Sequence, residues 1–174
     1  EIKKDKDKDV AYRCLNSLCP AQLERSLAHF AGRQAMDIEG LGEAAVQQLV
    51  AKKIVRDFSG IYALKKEDLL GLELFKDKKA ENLLAAIEKS KAQPLSRLIL
   101  GLGIRHVGEK AAYLLAQNFK TIDNLLKAKP DDFDSIYAFG PVIAGSVVNF
   151  FKQAGTQKLL KKLKAAGLNM QEGQ

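Results

Sequence analysis

Apolar positions in this chain recur at helical spacing from residue 20 onward, and no stretch alternates with strand periodicity over six residues. Pro20 is tolerated at a helix start, and Leu23, Leu27 and Phe30 make one apolar stripe that Gly32 ends. A second helix is expected over 43–52. Asp57 reads as the N-cap of a short helix reaching residue 64, and 66–70 as a further turn. The longest pattern spans 76–91, with Leu83, Leu84 and Ile87 on one side and lysines on the other. Pro94 opens a helix over 95–102, and another over 109–118 turns Ala112, Leu115 and Ala116 inward. Thr121 is a weak cap, and Ile122, Leu125 and Leu126 form the apolar face behind it. Pro130-Asp131-Asp132 starts a short helix, Pro141 takes the first position of the next, and a last helix is expected over 156–166 before Gly167. The fold class is all-α.

One short pattern returns four times on this helical background. It reads Ile38-Glu39-Gly40-Leu41-Gly42-Glu43, Leu72-Glu73-Leu74-Phe75-Lys76-Asp77, Ile104-Arg105-His106-Val107-Gly108-Glu109 and Ile136-Tyr137-Ala138-Phe139-Gly140-Pro141. The copies lie 34, 32 and 32 residues apart, and each has a small apolar residue four positions on: Val46, Ala80, Ala112 and Ala144. A fixed period in this range marks an array of one supersecondary unit, here a helix-hairpin-helix. A Gly-apolar-Gly turn permits positive φ, expected at Gly108, and close approach of another molecule. It leads into a helix N-terminus, whose unpartnered N–H groups and dipole suit a phosphate. Leu41, Val107 and Phe139 are expected to fold inward and lock the helices together. A plain helical repeat whose glycines are C-caps is the alternative reading of any one copy.

Charge changes the picture moderately. The 174 residues carry 28 Lys+Arg against 21 Asp+Glu, a net +7 that suits a polyanion. There is no tryptophan and only 7% of residues are aromatic, which disfavours a platform for stacking single-stranded bases. No apolar run approaches a membrane span, and a soluble, cytoplasmic protein is expected. Backbone contact is the better expectation, through Gly40, Leu41, Gly42, Lys76, Lys78, Arg105, His106, Val107, Gly108, Lys110, Phe139 and Gly140. His106 could donate to a phosphate or cap the preceding helix; Arg105 beside it favours the phosphate. Arg33 is a similar candidate at a hairpin mouth. Asp131, Asp132 and Asp134 read as helix-start charges rather than Mg²⁺ ligands. The lysines of the last helix (158, 161, 162 and 164) read as a solvated face.

Cys14 and Cys19 are separated by four residues. They are either two partly buried thiols or half of a tetrahedral zinc site, which needs four ligands. His29 is assigned to packing or to a supporting role near the cysteines. Residues 1–9 mix both signs of charge and read as a solvated loop or frayed end.

At Cys14-Leu15-Asn16-Ser17-Leu18-Cys19-Pro20-Ala21-Gln22, His29-Phe30-Ala31 and Ala35-Met36-Asp37-Ile38-Glu39-Gly40-Leu41-Gly42 the chain resembles bacterial NAD-dependent DNA ligase. The likeness continues through Gly103-Ile104-Arg105-His106-Val107-Gly108-Glu109 and Phe139-Gly140-Pro141 to Gly167-Leu168-Asn169-Met170. The resemblance implies the second half of a four-cysteine zinc finger over 1–32, holding zinc through Cys14 and Cys19 when the upstream pair is present. It implies a tandem helix-hairpin-helix DNA-binding domain of four repeats over 33–170 and the start of a linker over 171–174. It also implies a monomer gripping the minor-groove side of nicked duplex DNA. NAD and Mg²⁺ would serve catalytic domains elsewhere: the family's Lys-x-Asp-Gly nucleophile motif does not occur in these 174 residues. Lys76 stands where the family tends to carry glycine, so the charge of Lys76, Lys78 and Lys79 is expected to compensate for a less close backbone approach. A helical protein-interaction scaffold and an accessory DNA-repair module are the rival functions.

Overall fold

The computed structural model describes residues 2–4, 12–14, 20–136 and 139–172. Its helical part follows the apolar periodicity. Helix α1 (Pro20–Phe30) and α2 (Glu43–Ala51) are followed by two short helices, α3 (Phe58–Tyr62) and α4 (Lys66–Leu70). Then come α5 (Asp77–Ser90), α6 (Leu95–Leu102), α7 (Glu109–Phe119) and α8 (Ile122–Leu126). A 3₁₀ turn (Pro130–Phe133), α9 (Pro141–Lys152) and α10 (Ala154–Ala165) complete the order. No described helix is long and apolar enough to cross a membrane.

Sequential elements pack in pairs: α1 on α2, α4 on α5, α6 on α7, and the 3₁₀ turn on α9. None could bury its apolar stripe alone, so they share one core. At its centre Phe30 stacks on Phe58 at 4.4 Å between centroids and meets Tyr62 edge-on at 6.3 Å. Complete burial of side chains such as Phe30, Leu27, Leu95 and Leu98 contributes about 1.5–3 kcal/mol each. Helix α6 crosses α1 closely because Gly101 has no side chain. A Cβ there would lie 3.3 Å from Phe30 Cδ2 and 3.4 Å from Ala35 Cβ. Arg97, one turn earlier, donates to the carbonyls of Arg33 and Ala35 at 2.8 and 2.9 Å, pinning the loop that follows α1.

Four details depart from the sequence reading. Ile2–Lys4 pairs antiparallel with Tyr12–Cys14 as a two-stranded ribbon, β1 and β2, where a loop is expected; three residues per strand are too few to display a period. Helix α10 begins at Ala154, two residues early. Two of its lysines are also paired, Lys162 with Asp57 at 3.4 Å and Lys164 with Asp123 at 3.3 Å. The tail expected to begin a linker is tied down by backbone hydrogen bonds. Leu95 N–H donates to the carbonyl of Gln171, and Glu172 N–H to that of Lys120. Glu172 also accepts from Ser96 N–H at 3.1 Å, serving the first turn of α6 from a distant part of the chain.

Candidate nucleic-acid interface

Each hairpin mouth is built on the same two hydrogen bonds. A tight turn is closed from Leu41 N–H to Ile38, Phe75 to Leu72, Val107 to Ile104 and Phe139 to Ile136, at 3.0–3.3 Å. The next helix is opened by Val46 to Gly42, Ala80 to Lys76, Ala112 to Gly108 and Ala144 to Gly140, at 2.9–3.0 Å. Both partners in each turn are apolar and fold inward. Ile38, Leu41, Leu72, Phe75, Ile104, Val107 and Ile136 are buried, and Phe139 is half-buried against the Phe133 ring at 6.0 Å. Leu41 and Val107 thus fold inward as expected, and Phe139 does so in part. Tyr137 and Ala138 lie outside the described residues.

The glycines sort into two kinds that sequence spacing alone does not separate. Positive φ occurs two residues before the helix entrance: Gly40 at 96°, Leu74 at 67° and His106 at 70°, the third residue of a type II turn. The entrance residues are extended instead. Gly42 has φ −90°, Lys76 −118°, Gly108 −99° and Gly140 −92°. The positive φ expected at Gly108 is thus corrected, and the C-cap alternative fails for these three glycines, which precede helices rather than end them. Their local conformation suits any residue, and a Cβ on Gly42, Gly108 or Gly140 would meet nothing within 4 Å. Neither strain nor packing requires glycine there; what its absence of side chain provides is open access to the helix end.

The N–H groups at those ends are available, save at the first position of α9, where Pro141 has none. Gly42, Lys76, Gly108 and Gly140 place no side-chain acceptor on the first turns of α2, α5, α7 and α9. Other helices do cap themselves: Asp57 accepts from Gly60 N–H at 3.2 Å and Thr121 from Asn124 N–H at 3.2 Å. Asp68 and Asp132 accept from Lys65 and Lys129 N–H at 3.0 and 2.8 Å. Asp132 thus serves a helix start, as its position suggests.

Charge at the mouths is mixed. Glu43, Asp77 and Glu109 occupy the first helical positions, where they favour the helix dipole but oppose an anion. Asp77 is partly neutralised by Lys66 at 3.4 Å; the Glu81 carboxylate and then Asp77 hold that ammonium's pKa above its ordinary value. Lys76, Lys78, Arg105, His106 and Lys110 are exposed around the mouths. His106 makes no hydrogen bond to the described residues and so does not cap α6, whose C-terminal turn ends at Gly103 in the left-handed region. His29 packs as expected: its Nε2 lies 2.8 Å from the carbonyl oxygen of Leu100, joining α1 to α6.

The hairpins are brought together in pairs. Glu73 N–H, in the second turn, donates to Gln48 Oε1 of α2 at 2.7 Å. The first and second mouths consequently share a groove, with Gly40 and Gly42 on one wall and Leu74 and Lys79 on the other. A second cleft sets Arg33 beside Gly108 and Glu109 of the third mouth. Lys79, whose ammonium stands 4.7 Å from the Phe75 ring centre, lines the same groove as Gly40 and Gly42; Gln48 and Leu74 were not anticipated, because their roles depend on which mouths are neighbours. The Cys19 thiol and the Cys14 side chain lie outside the described residues. Among the described residues no three His, Cys, Asp or Glu side chains gather at metal-binding distance.

Comparison with known proteins agrees with the repeated geometry. Residues 97–160, from α6 into α10, match the helix-hairpin-helix motif family. The chain is 49% identical over 172 residues to a DNA ligase of Natranaerobius thermophilus, covering 99% of this chain and 26% of that protein. It is 47% identical over 165 residues to a DNA ligase of Ligilactobacillus salivarius, covering 95% and 25%. A DNA ligase of a Thermoanaerobacter species matches at 48% over 160 residues, covering 92% and 24%. This chain is similar to a segment of these DNA ligases. It spans about a quarter of the length of these relatives.

Proposed function

We propose that the chain holds the sugar–phosphate backbone of duplex DNA without reading sequence, as the non-catalytic grip of an NAD-dependent ligase that seals single-strand breaks. The observation that carries this reading is the set of helix entrances at 42, 76, 108 and 140. All lack a side-chain cap, and three are glycines for which the fold itself has no need. A phosphate oxygen fits such an entrance because N–H groups converge there and the dipole favours negative charge. The +7 net charge adds long-range attraction. The groove shared by the first and second mouths suits a ligand that passes continuously from one hairpin to the next, as a nicked duplex does along its minor groove.

Zinc belongs to the same reading. Two thiolates at Cys14 and Cys19 supply half of a tetrahedral site and require two further ligands to hold the ion firmly. NAD and Mg²⁺ would act in catalytic domains, with no residue of this chain in the chemistry.

Fluorescence anisotropy on labelled duplexes of random sequence, intact and nicked, tests the proposal. Affinity should fall linearly on a log–log plot against salt, with a slope reporting several neutralised phosphates, and should be higher for the nicked duplex. A flat salt dependence, or one strong preferred sequence, would refute backbone gripping and favour a protein-interaction scaffold.

A further inference from the structure

The second mouth departs from the first at two nearby points, the turn position and the helix entrance. Leu74 occupies the left-handed turn position at φ 67°, where the first mouth has glycine. Its side chain is 84% exposed, well above Val142 at 64%, Tyr113 at 54% and Leu70 at 42%. Lys76 then replaces the entrance glycine. A leucine in this conformation is strained, and one so exposed returns nothing to the core. Folding alone would favour glycine or asparagine at this position.

The surroundings indicate what could cover it. Leu74 and Lys79 line one wall of the groove whose other wall carries Gly40 and Gly42. Lys76 and Lys78 are exposed beside it. An apolar tip flanked by ammonium groups complements a surface that is apolar between two rows of negative charge. The minor groove of duplex DNA has this character: deoxyribose C–H walls lie between phosphate rows, and proteins that bind there insert leucine and similar side chains. Val142 repeats the theme at the second helical position of α9, where α5 and α7 carry Lys78 and Lys110.

We infer that Leu74 is an apolar contact to the minor-groove sugars of bound duplex. The second hairpin then works by burying Leu74 and adding lysine charge, in place of close approach at an entrance glycine. This rests on the duplex-gripping reading above.

Leu74→Gly and Leu74→Asn, both compatible with the turn, are the test, with Lys76→Ala alongside. Each is measured by thermal melting and by duplex binding across a salt series. The Leu74 variants should melt at or above the parent's temperature while binding about five- to tenfold more weakly with an unchanged salt slope. Lys76→Ala should lower the slope instead. Leu74 variants that bind as tightly as the parent would overturn the inference and leave backbone gripping intact. Variants that lose melting temperature along with affinity would also overturn it, since Leu74 would then be structural. A parent chain with no duplex affinity would sink the gripping proposal, and this inference with it.

Discussion

Gly108→Val separates a turn that is merely structural from one that admits a phosphate. The substitution adds three carbons where the backbone is extended, at φ −99° and ψ −164°, a region that β-branched residues favour. The new Cβ meets nothing within 4 Å. Losing a glycine N-cap costs a few tenths to about 1 kcal/mol of helix stability. Removing a glycine from the unfolded chain returns about 0.4–1 kcal/mol. The two nearly cancel, and the variant should melt close to the parent. Binding should respond very differently, because the methyl groups stand over the N–H groups of the α7 entrance. A hydrogen bond to a charged group contributes about 1.5–3 kcal/mol, so loss of one phosphate contact should weaken binding about 10- to 150-fold. Gly42→Val and Gly140→Val should behave alike, whereas Lys76→Val should show no comparable steric effect because that entrance already carries a side chain. Circular dichroism melts and duplex titrations at constant salt provide the two readouts. A Gly108→Val chain that melts with the parent and binds with undiminished affinity would refute N–H donation as the mechanism.

Other consequences follow from individual contacts. Lys76→Ala should reduce the log–log salt slope by about one unit and leave the melting temperature unchanged. Gly101→Ala should destabilise the fold by about 1–2 kcal/mol, the overpacking against Phe30 and Ala35 exceeding the roughly 0.5–1 kcal/mol that alanine returns inside a helix, and lower the melting temperature without changing duplex affinity of the folded fraction. Burial pushes the Tyr62 hydroxyl up to about 12, against the opposing hydrogen bond with Ser90. Its contribution is intact below pH 10 and lost as pH rises from 10 to 12, when the unfolded chain ionises first; Tyr62→Phe should flatten that limb in alkaline unfolding followed by ultraviolet absorbance. Burial alone would raise the Asp57 carboxyl, but the Ser59 hydroxyl, Lys162 and Gly60 N–H outweigh it and hold the group below its ordinary 3.8. That stability is present above the unfolded value and lost as pH falls below it, so Asp57→Asn should flatten the acid limb of a pH series of melts.

Much of this molecule is local in origin, and that part is legible residue by residue. Apolar spacing every three or four positions places the helices, since a stripe such as Leu23, Leu27 and Phe30 can be buried on one side only in a helix. The recurring isoleucine or leucine, inward apolar residue and entrance residue define the hairpins, because the turn is closed within four residues and needs no distant partner. Asp57 and Thr121 are recognisable as caps for the same reason. Helix ends shift by one or two residues where neighbouring packing intervenes, as at α10.

What the chain order leaves open concerns distance through space. Only the packed structure decides which glycine bears positive φ, for Gly40 and Gly42 are alike in composition but sit at different points of a turn. Only packing pairs the first mouth with the second through Gln48 and brings Arg33 beside Gly108. The same holds for Glu172 at the α6 entrance, 76 residues from Ser96, and for the strained, exposed Leu74. Local hydrogen bonding and apolar periodicity are short-range and written into neighbouring residues. The arrangement of the mouths is set by how four half-finished apolar faces close on one another, a balance of burial over the whole core that no short stretch of the chain contains.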